Sequence, residues 1–100
     1  MLYFQYSNIL NIIFEQIINE IQLQNIDLAQ DYETYRNIGF ALSSEFGESG
    51  RSLFHIVCSM NQKYNEYEAE NQYTACLKSR GRGITIATFF YLCKQAGMNF

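Results

Sequence analysis

Residues 83–97 read Gly83-Ile84-Thr85-Ile86-Ala87-Thr88-Phe89-Phe90-Tyr91-Leu92-Cys93-Lys94-Gln95-Ala96-Gly97, a complete predicted helix with a signal at each end. The Thr85 hydroxyl can accept a hydrogen bond from a free N–H of the first turn. Gly97 can adopt the left-handed conformation that ends many helices. One face between them is apolar and contains Ile86, Phe89, Phe90 and Cys93, with Ala96 at its edge. Because two adjacent phenylalanines bury a large apolar area, we expect the rest of the fold to pack around this helix.

The composition predicts one small helical domain. The chain has 100 residues, of which 48% are hydrophobic and 16% aromatic, enough for one core. It has no proline, and its six glycines favour helices joined by short glycine-containing turns. The fold class predicted is therefore all-α, a small bundle of about five helices.

Apolar spacing places the first four helices over residues 8–24, from Asp31 to about Phe46, from Ser49 or Gly50 to about Met60, and from Asn65 through Lys78. Asp31 is the predicted N-cap of the second helix. Gly39 falls inside the second of these, where glycine costs about 1 kcal/mol relative to alanine. The simplest explanation is the close approach of another helix. In the fourth helix we assign the apolar positions to Tyr67, Ala69, Tyr73, Cys76 and Leu77. A strand over residues 83–86 is the main alternative, because Ile-Thr-Ile has strand propensity.

Cysteines and hydropathy limit the class of protein. Cys58, Cys76 and Cys93 are an odd number at wide spacing, which fits neither a disulfide framework nor a zinc site. We interpret them as buried, reduced thiols of a cytoplasmic protein. No run of 18 apolar residues suggests a membrane span, and the first residues lack the features of a signal peptide.

The net charge of −3 hides an uneven distribution. Residues 1–50 contain one basic residue, Arg36, and seven acids, whereas residues 51–100 contain six basic residues and three acids. Lys78, Arg80 and Arg82 cluster in a glycine-rich loop just before the last helix, where phosphate can be bound. Tyr73, Lys63 and Tyr64 could add a stacking ring or further charge. Solvated loop residues are the equally weighted alternative on these grounds.

No enzyme active site is evident in the sequence. His55 is the only histidine, and Cys58 lies one helical turn further on, but no third group completes a catalytic set. Glu66, Glu68 and Glu70 alternate and so do not share a helix face. The glycine-rich loop lacks the Gly-Lys-Ser/Thr of a nucleotide-binding loop. We therefore expect no catalytic residues, no metal and no cofactor.

Three blocks of the sequence resemble the primase C-terminal helical domain family, of the PriCT-2 type. The first block has Asp31, an aromatic residue at Tyr35, and then Ile38-Gly39-Phe40-Ala41-Leu42. The second comprises Gly50-Arg51-Ser52-Leu53-Phe54 and residues 59–65. The third is residues 84–97. The resemblance covers about residues 28–98, with Tyr35 and Tyr73 where tryptophan is common and Ala87 where glycine is common.

The resemblance implies a helix bundle that follows a primase-polymerase catalytic domain in replication proteins of phages and other mobile elements. It also implies a non-catalytic role in holding template DNA or the initiating nucleotide. We accordingly expect residues 1–27 to form a connecting or interface helix and residues 28–98 the domain itself. The predicted nucleic-acid contacts are Lys78, Arg80, Arg82, Lys63 and Tyr64, with weak binding by the chain alone.

A second hypothesis makes the chain a protein-interaction module without direct DNA contact. Its partner would be the primase catalytic domain, a helicase domain or a second copy of the chain. The first helix has a wide isoleucine stripe. Either this helix lies across the bundle, or the stripe forms a homodimer through Ile9, Ile13 and Ile17.

Overall fold

The computed structural model describes residues 8–79 and 83–100, with side chains described from residue 12 onward. This part of the chain forms α1 (Asn8–Gln24), α2 (Tyr32–Phe46), a 3-10 helix (Gly47–Gly50), α3 (Arg51–Cys58), α4 (Glu66–Ser79) and α5 (Ile86–Gln95). No strand occurs within it, so the alternative of a strand over residues 83–86 is wrong and the all-α class is confirmed. None of the helices in the described residues is long and apolar enough to cross a membrane.

Side-chain caps begin the two helices where the sequence predicted them. Asp31 Oδ1 accepts a 2.8 Å hydrogen bond from the Thr34 N–H, at the start of α2. Thr85 Oγ1 accepts a 3.3 Å bond from the Ala87 N–H, at the start of α5. Both bonds satisfy first-turn donors that have no partner within the helix.

The C-terminal end of α5 also follows the prediction. Gly97 has φ +91°, and the Met98 N–H donates to the Cys93 carbonyl at 3.1 Å, as in a Schellman ending. This turn brings Met98 back into the core, where its side chain is 4% exposed.

The core joins α1 to α2 and α5 through aromatic rings. The Phe14 ring lies 5.1 Å from the Phe46 ring and 5.5 Å from the Phe89 ring, between centroids. The inner face of α1 consists of Phe14, Ile17, Ile18 and Ile21, all buried in the same cluster as the other helices. α1 is therefore part of the domain's core.

This burial corrects the predicted dimer stripe. Ile17 is 1% exposed and Ile13 packs partly buried against the same core, while the Ile9 side chain lies outside the described residues. The described part of the stripe packs against the core of its own chain. Ile17 is not accessible to a second chain.

Gly39 lies where α2 meets α3 and α4. A Cβ atom at this position would lie 2.7 Å from Cys76 Sγ of α4 and 3.3 Å from the Phe54 ring of α3. The predicted close approach of another helix is confirmed. It fixes the separation of α2 and α4, which form the walls of the grooves described below.

Two further details differ from the predictions. α3 is the eight-residue helix Arg51–Cys58, because the 3-10 helix occupies residues 47–50 and the chain turns after Cys58. Tyr67 is 76% exposed, whereas Ala69, Tyr73 and Cys76 of the same helix are buried. Tyr67 lies two residues before Ala69 and so about 200° around the helix, on the opposite side.

Candidate functional site

A groove of about 470 Å³ opens between the start of α2, the turn over residues 61–65 and the first half of α4. We call it the tyrosine groove. It is lined by Ala29, Gln30, Asp31, Tyr32, Tyr35, Cys58, Asn61, Lys63, Tyr64, Asn65, Glu68 and Gln72. Its lining combines aromatic rings with side-chain amides, two carboxylates and one lysine.

Three tyrosines provide flat apolar surface in this groove. Tyr32 is 63% exposed, while Tyr35 and Tyr64 are partly buried. Burial raises the pKa of Tyr35 to about 12, so its hydroxyl stays protonated at neutral pH. The rings can stack on a planar ligand, and the two carboxylates make the groove unfavourable for a ligand held by phosphate charge alone.

Tyr64 is held in place by hydrogen bonds from behind the groove. Its hydroxyl lies 2.6 Å from His55 Nδ1, and His55 Nε2 lies 2.7 Å from Glu70 Oε1. An ionised carboxylate only accepts, so Nε2 carries a proton. With His55 neutral, Nδ1 therefore accepts from the Tyr64 hydroxyl.

Arg51 extends this hydrogen-bond network from Glu70 to two further side chains. Its guanidinium pairs with Glu48 and, at 3.2 Å, with Glu70, and it donates to Thr74 Oγ1 at 3.0 Å. The bond to Glu48 raises the pKa of Arg51 and lowers that of Glu48. The 3-10 helix, α3 and α4 are joined at this point, which supports the wall that carries Tyr64.

The hydroxyl of Tyr64, the imidazole of His55 and the carboxylate of Glu70 follow one another in the same order as the groups of a catalytic triad. The hydroxyl, however, is not activated as a nucleophile. Burial raises the pKa of Tyr64, so the phenol remains a hydrogen-bond donor and is not activated as a nucleophile. Both ring nitrogens of His55 are engaged by Tyr64 and Glu70, and burial raises the pKa of Cys58. Among the described residues no cluster of metal-binding side chains occurs.

A second groove, of about 330 Å³, lies next to the first along α2 and α4. We call it the arginine groove. It is lined by Tyr32, Arg36, Phe40, Gln72, Ala75, Cys76, Ser79 and Ile84. Tyr32 and Gln72 line both grooves, and the Tyr32 hydroxyl approaches Gln72 Oε1 at 3.4 Å. The two grooves are therefore adjacent, with Tyr32 of α2 and Gln72 of α4 between them.

The predicted site residues lie at different places. Lys63 and Tyr64 both line the tyrosine groove. Lys78 is exposed in the last turn of α4, roughly 20 Å along the helix from its first residue. Arg80 and Arg82 lie outside the described residues. One compact ligand cannot touch both Lys63 and Lys78, but an extended one can.

Sequence reasoning missed Arg36, Tyr32 and Tyr35 as groove residues. Arg36 is the single basic residue of the first fifty, and Tyr32 precedes it by one helical turn. The guanidinium carbon lies 5.8 Å from the Tyr32 ring centroid. A cation one turn after an aromatic residue was the available signal.

Comparison with known proteins supplies the family. No curated protein and no solved structure matches the chain. The profile of the family described as Primase C terminal 2 (PriCT-2) matches residues 17–93, so the match begins within α1 and ends within α5. Because this match covers more than half of the sequence, the chain belongs to the Primase C terminal 2 family, the accessory C-terminal domains of primases.

Proposed function

We propose that this domain holds single-stranded template DNA, or the initiating nucleotide, by stacking bases in the tyrosine groove beside the catalytic unit of a primase. The observation that carries the proposal is the position of Lys63 and Tyr64. These residues, selected from sequence, line one groove together with Tyr32 and Tyr35. Membership of the PriCT-2 family supports the association with a primase.

Stacking on aromatic side chains suits single strands, because every base has a π-face. The amides and carboxylates of the groove add hydrogen-bonding groups for base edges. Asp31 and Glu68 can accept from an exocyclic amine, and the Asn65 side-chain amide can donate to a base acceptor. The groove is therefore suited to an unpaired base and not to a duplex.

Charge makes the binding weak and salt-dependent. The chain has a net charge of −3, and the tyrosine groove contains two carboxylates against one lysine. We propose that the phosphates lie at its edges, near Lys63 at one end and toward Lys78, Arg80 and Arg82 at the other. Such contacts fix the path of the strand, and raising the salt concentration weakens them.

The first experiment measures fluorescence anisotropy of a labelled single-stranded oligonucleotide at about 50 and 200 mM salt, with and without a nucleoside triphosphate. Tyr32→Ala should weaken binding roughly 5- to 150-fold, the range for loss of one stacked base. Tyr67→Ala is the matched control, because Tyr67 is 76% exposed on α4 and does not line the groove. Equal affinities of both variants would refute the stacking role.

Charge-matched variants test the phosphate contacts. Lys63→Gln should weaken binding and Lys94→Gln should not, because Lys94 lies in the last turn of α5, away from the groove. An Arg80→Ala/Arg82→Ala double variant should lose salt-sensitive binding. Parent-like binding by this double variant at low salt would exclude the basic loop as a contact.

Exposed apolar residues on α1 favour a second candidate, docking onto another protein. Ile12 is 54% exposed and Leu23 is 83% exposed, and their spacing of eleven residues places them on one face. A primase catalytic or helicase domain, or a second copy of the chain, would cover this face. Sedimentation of the parent and of Ile12→Ser/Leu23→Ser tests self-association, and a strict monomer at high concentration counts against a homodimer.

A further inference from the structure

The two arginines in the described residues have opposite surroundings. Arg51 pairs with Glu48 and Glu70. Arg36 forms no ion pair within the described part of the chain, and its Nε atom is buried there without a hydrogen-bond partner. A partly buried guanidinium without an acceptor loses hydration that nothing in the fold replaces.

The groove around Arg36 contains further donors in weak bonds. The Tyr32 hydroxyl reaches its acceptor on Gln72 only at 3.4 Å, and the Gln72 side-chain amide donates to the Cys76 sulfur at 3.5 Å. The Ser79 hydroxyl lines the same groove but already donates to the Ala75 carbonyl at 2.8 Å. The donors of Tyr32 and Gln72 can be redirected to the oxygens of a ligand.

We infer that the arginine groove binds a phosphate group, with Arg36 as its principal ligand-binding residue. The planar guanidinium presents several N–H donors that match phosphate oxygens, and stacking on the Tyr32 ring fixes its plane. Glu33, one turn earlier on α2, forms no ion pair with Arg36. Arg36 lines the groove, so an external anion can reach its guanidinium there, while the Nε atom itself is buried.

The position of the groove selects phosphate among anions. Tyr32 and Gln72 line both grooves, so a base stacked in the tyrosine groove has its own phosphate within reach of Arg36. This part of the inference rests on the proposed function. The phosphate belongs either to the backbone of a DNA strand or to the end of a free nucleotide, and the chemistry at Arg36 is the same.

The test observes the Arg36 Nε–Hε resonance by NMR in the intact chain. Three probes are titrated at constant ionic strength: inorganic phosphate, a nucleoside triphosphate, and a short oligothymidine without terminal phosphates. Sodium chloride is the reference titration. A saturable shift with a phosphate-bearing probe and none with chloride is the expected result. If only oligothymidine shifts the resonance, the ligand is the backbone phosphate of a DNA strand. If only the triphosphate shifts it, the ligand is a free nucleotide.

Salt dependence provides the second readout. Arg36→Gln should reduce the slope of log affinity for oligothymidine against log salt by about 0.7, the value for one phosphate contact on a single strand. Lys94→Gln, with the same change of charge, should leave the slope unchanged. Arg36→Lys should recover the slope but not the full affinity, because an ammonium cannot bind two oxygens in the same plane.

The two proposals fail in different ways. If oligothymidine binds but the Arg36 resonance does not move and the slope in Arg36→Gln is unchanged, the phosphate site is refuted while the stacking groove survives. If neither the oligonucleotide nor the triphosphate binds, the proposed function fails. The phosphate site then stands on a saturable shift with inorganic phosphate, and the absence of that shift overturns it.

Discussion

Replacing Gly39 by alanine sets two effects of known size against each other. Alanine favours a helix interior by about 1 kcal/mol over glycine. The added Cβ would lie 2.7 Å from Cys76 Sγ and 3.3 Å from the Phe54 ring, so the sulfur must move by close to 1 Å. Overpacking of this kind costs about 1–3 kcal/mol. Cys76 is 1% exposed and its thiol bonds to Gln72 and to the Arg36 carbonyl, so moving the sulfur disturbs both bonds and the overpacking cost should prevail.

We expect Gly39→Ala to lower the free energy of unfolding by about 1 kcal/mol, and the melting temperature by about 4–8 °C. Urea unfolding followed by circular dichroism measures this change, with an unchanged m-value showing that only stability is affected. In a Cys76→Ala background the same substitution should be neutral or stabilising, because the sulfur is gone. Stabilisation by Gly39→Ala in the parent, or an equal effect in both backgrounds, would refute the close approach.

Three further sets of substitutions test the core, the pH dependence and a buried hydroxyl. Phe89→Ala should cost about 3–5 kcal/mol in urea unfolding, because the ring is fully buried. Phe90→Ala should cost less, since its ring is only partly buried, and the reverse order would contradict the packing. The cap bond lowers the pKa of Asp31, so its stabilisation is present above the unfolded-state pKa and is lost as the pH falls through the lower, folded-state pKa. Asp31→Asn keeps a capping side chain, so it should lose less stability below about pH 4 than the parent, and identical acid curves would exclude the cap. Tyr73→Phe should cost about 1–3 kcal/mol, because the hydroxyl donates a 2.6 Å bond to a carbonyl of the 3-10 helix. The exposed Tyr67→Phe is its control and should change nothing measurable.

Local features of the fold were predictable because neighbouring residues determine them. The caps at Asp31 and Thr85 and the turn at Gly97 depend on a few adjacent positions, and all three were found as predicted. Gly39 was predictable in a weaker sense. A glycine inside a helix indicates a close neighbour, but the sequence does not identify Cys76 as that neighbour.

Features that depend on distant residues were not predictable. The bonds from His55 to Tyr64 and Glu70 join positions nine and fifteen residues away, and their formation depends on how α3 packs on α4. Ile17 was misassigned to a dimer contact because an apolar face has the same pattern whether its own core or another chain covers it. Ile17 shows the first case.

The Gly39–Cys76 contact has a consequence for how fast a ligand enters the grooves. The Cys76 thiol also donates to the Arg36 carbonyl at 3.7 Å, so α2 and α4 are held at two neighbouring points. Walls fixed in this way are preorganised, so α2 and α4 need not rearrange at the cost of conformational entropy when the ligand enters. Association should then approach the rate set by diffusion and orientation, and differences in affinity among bases should reside in the dissociation rate.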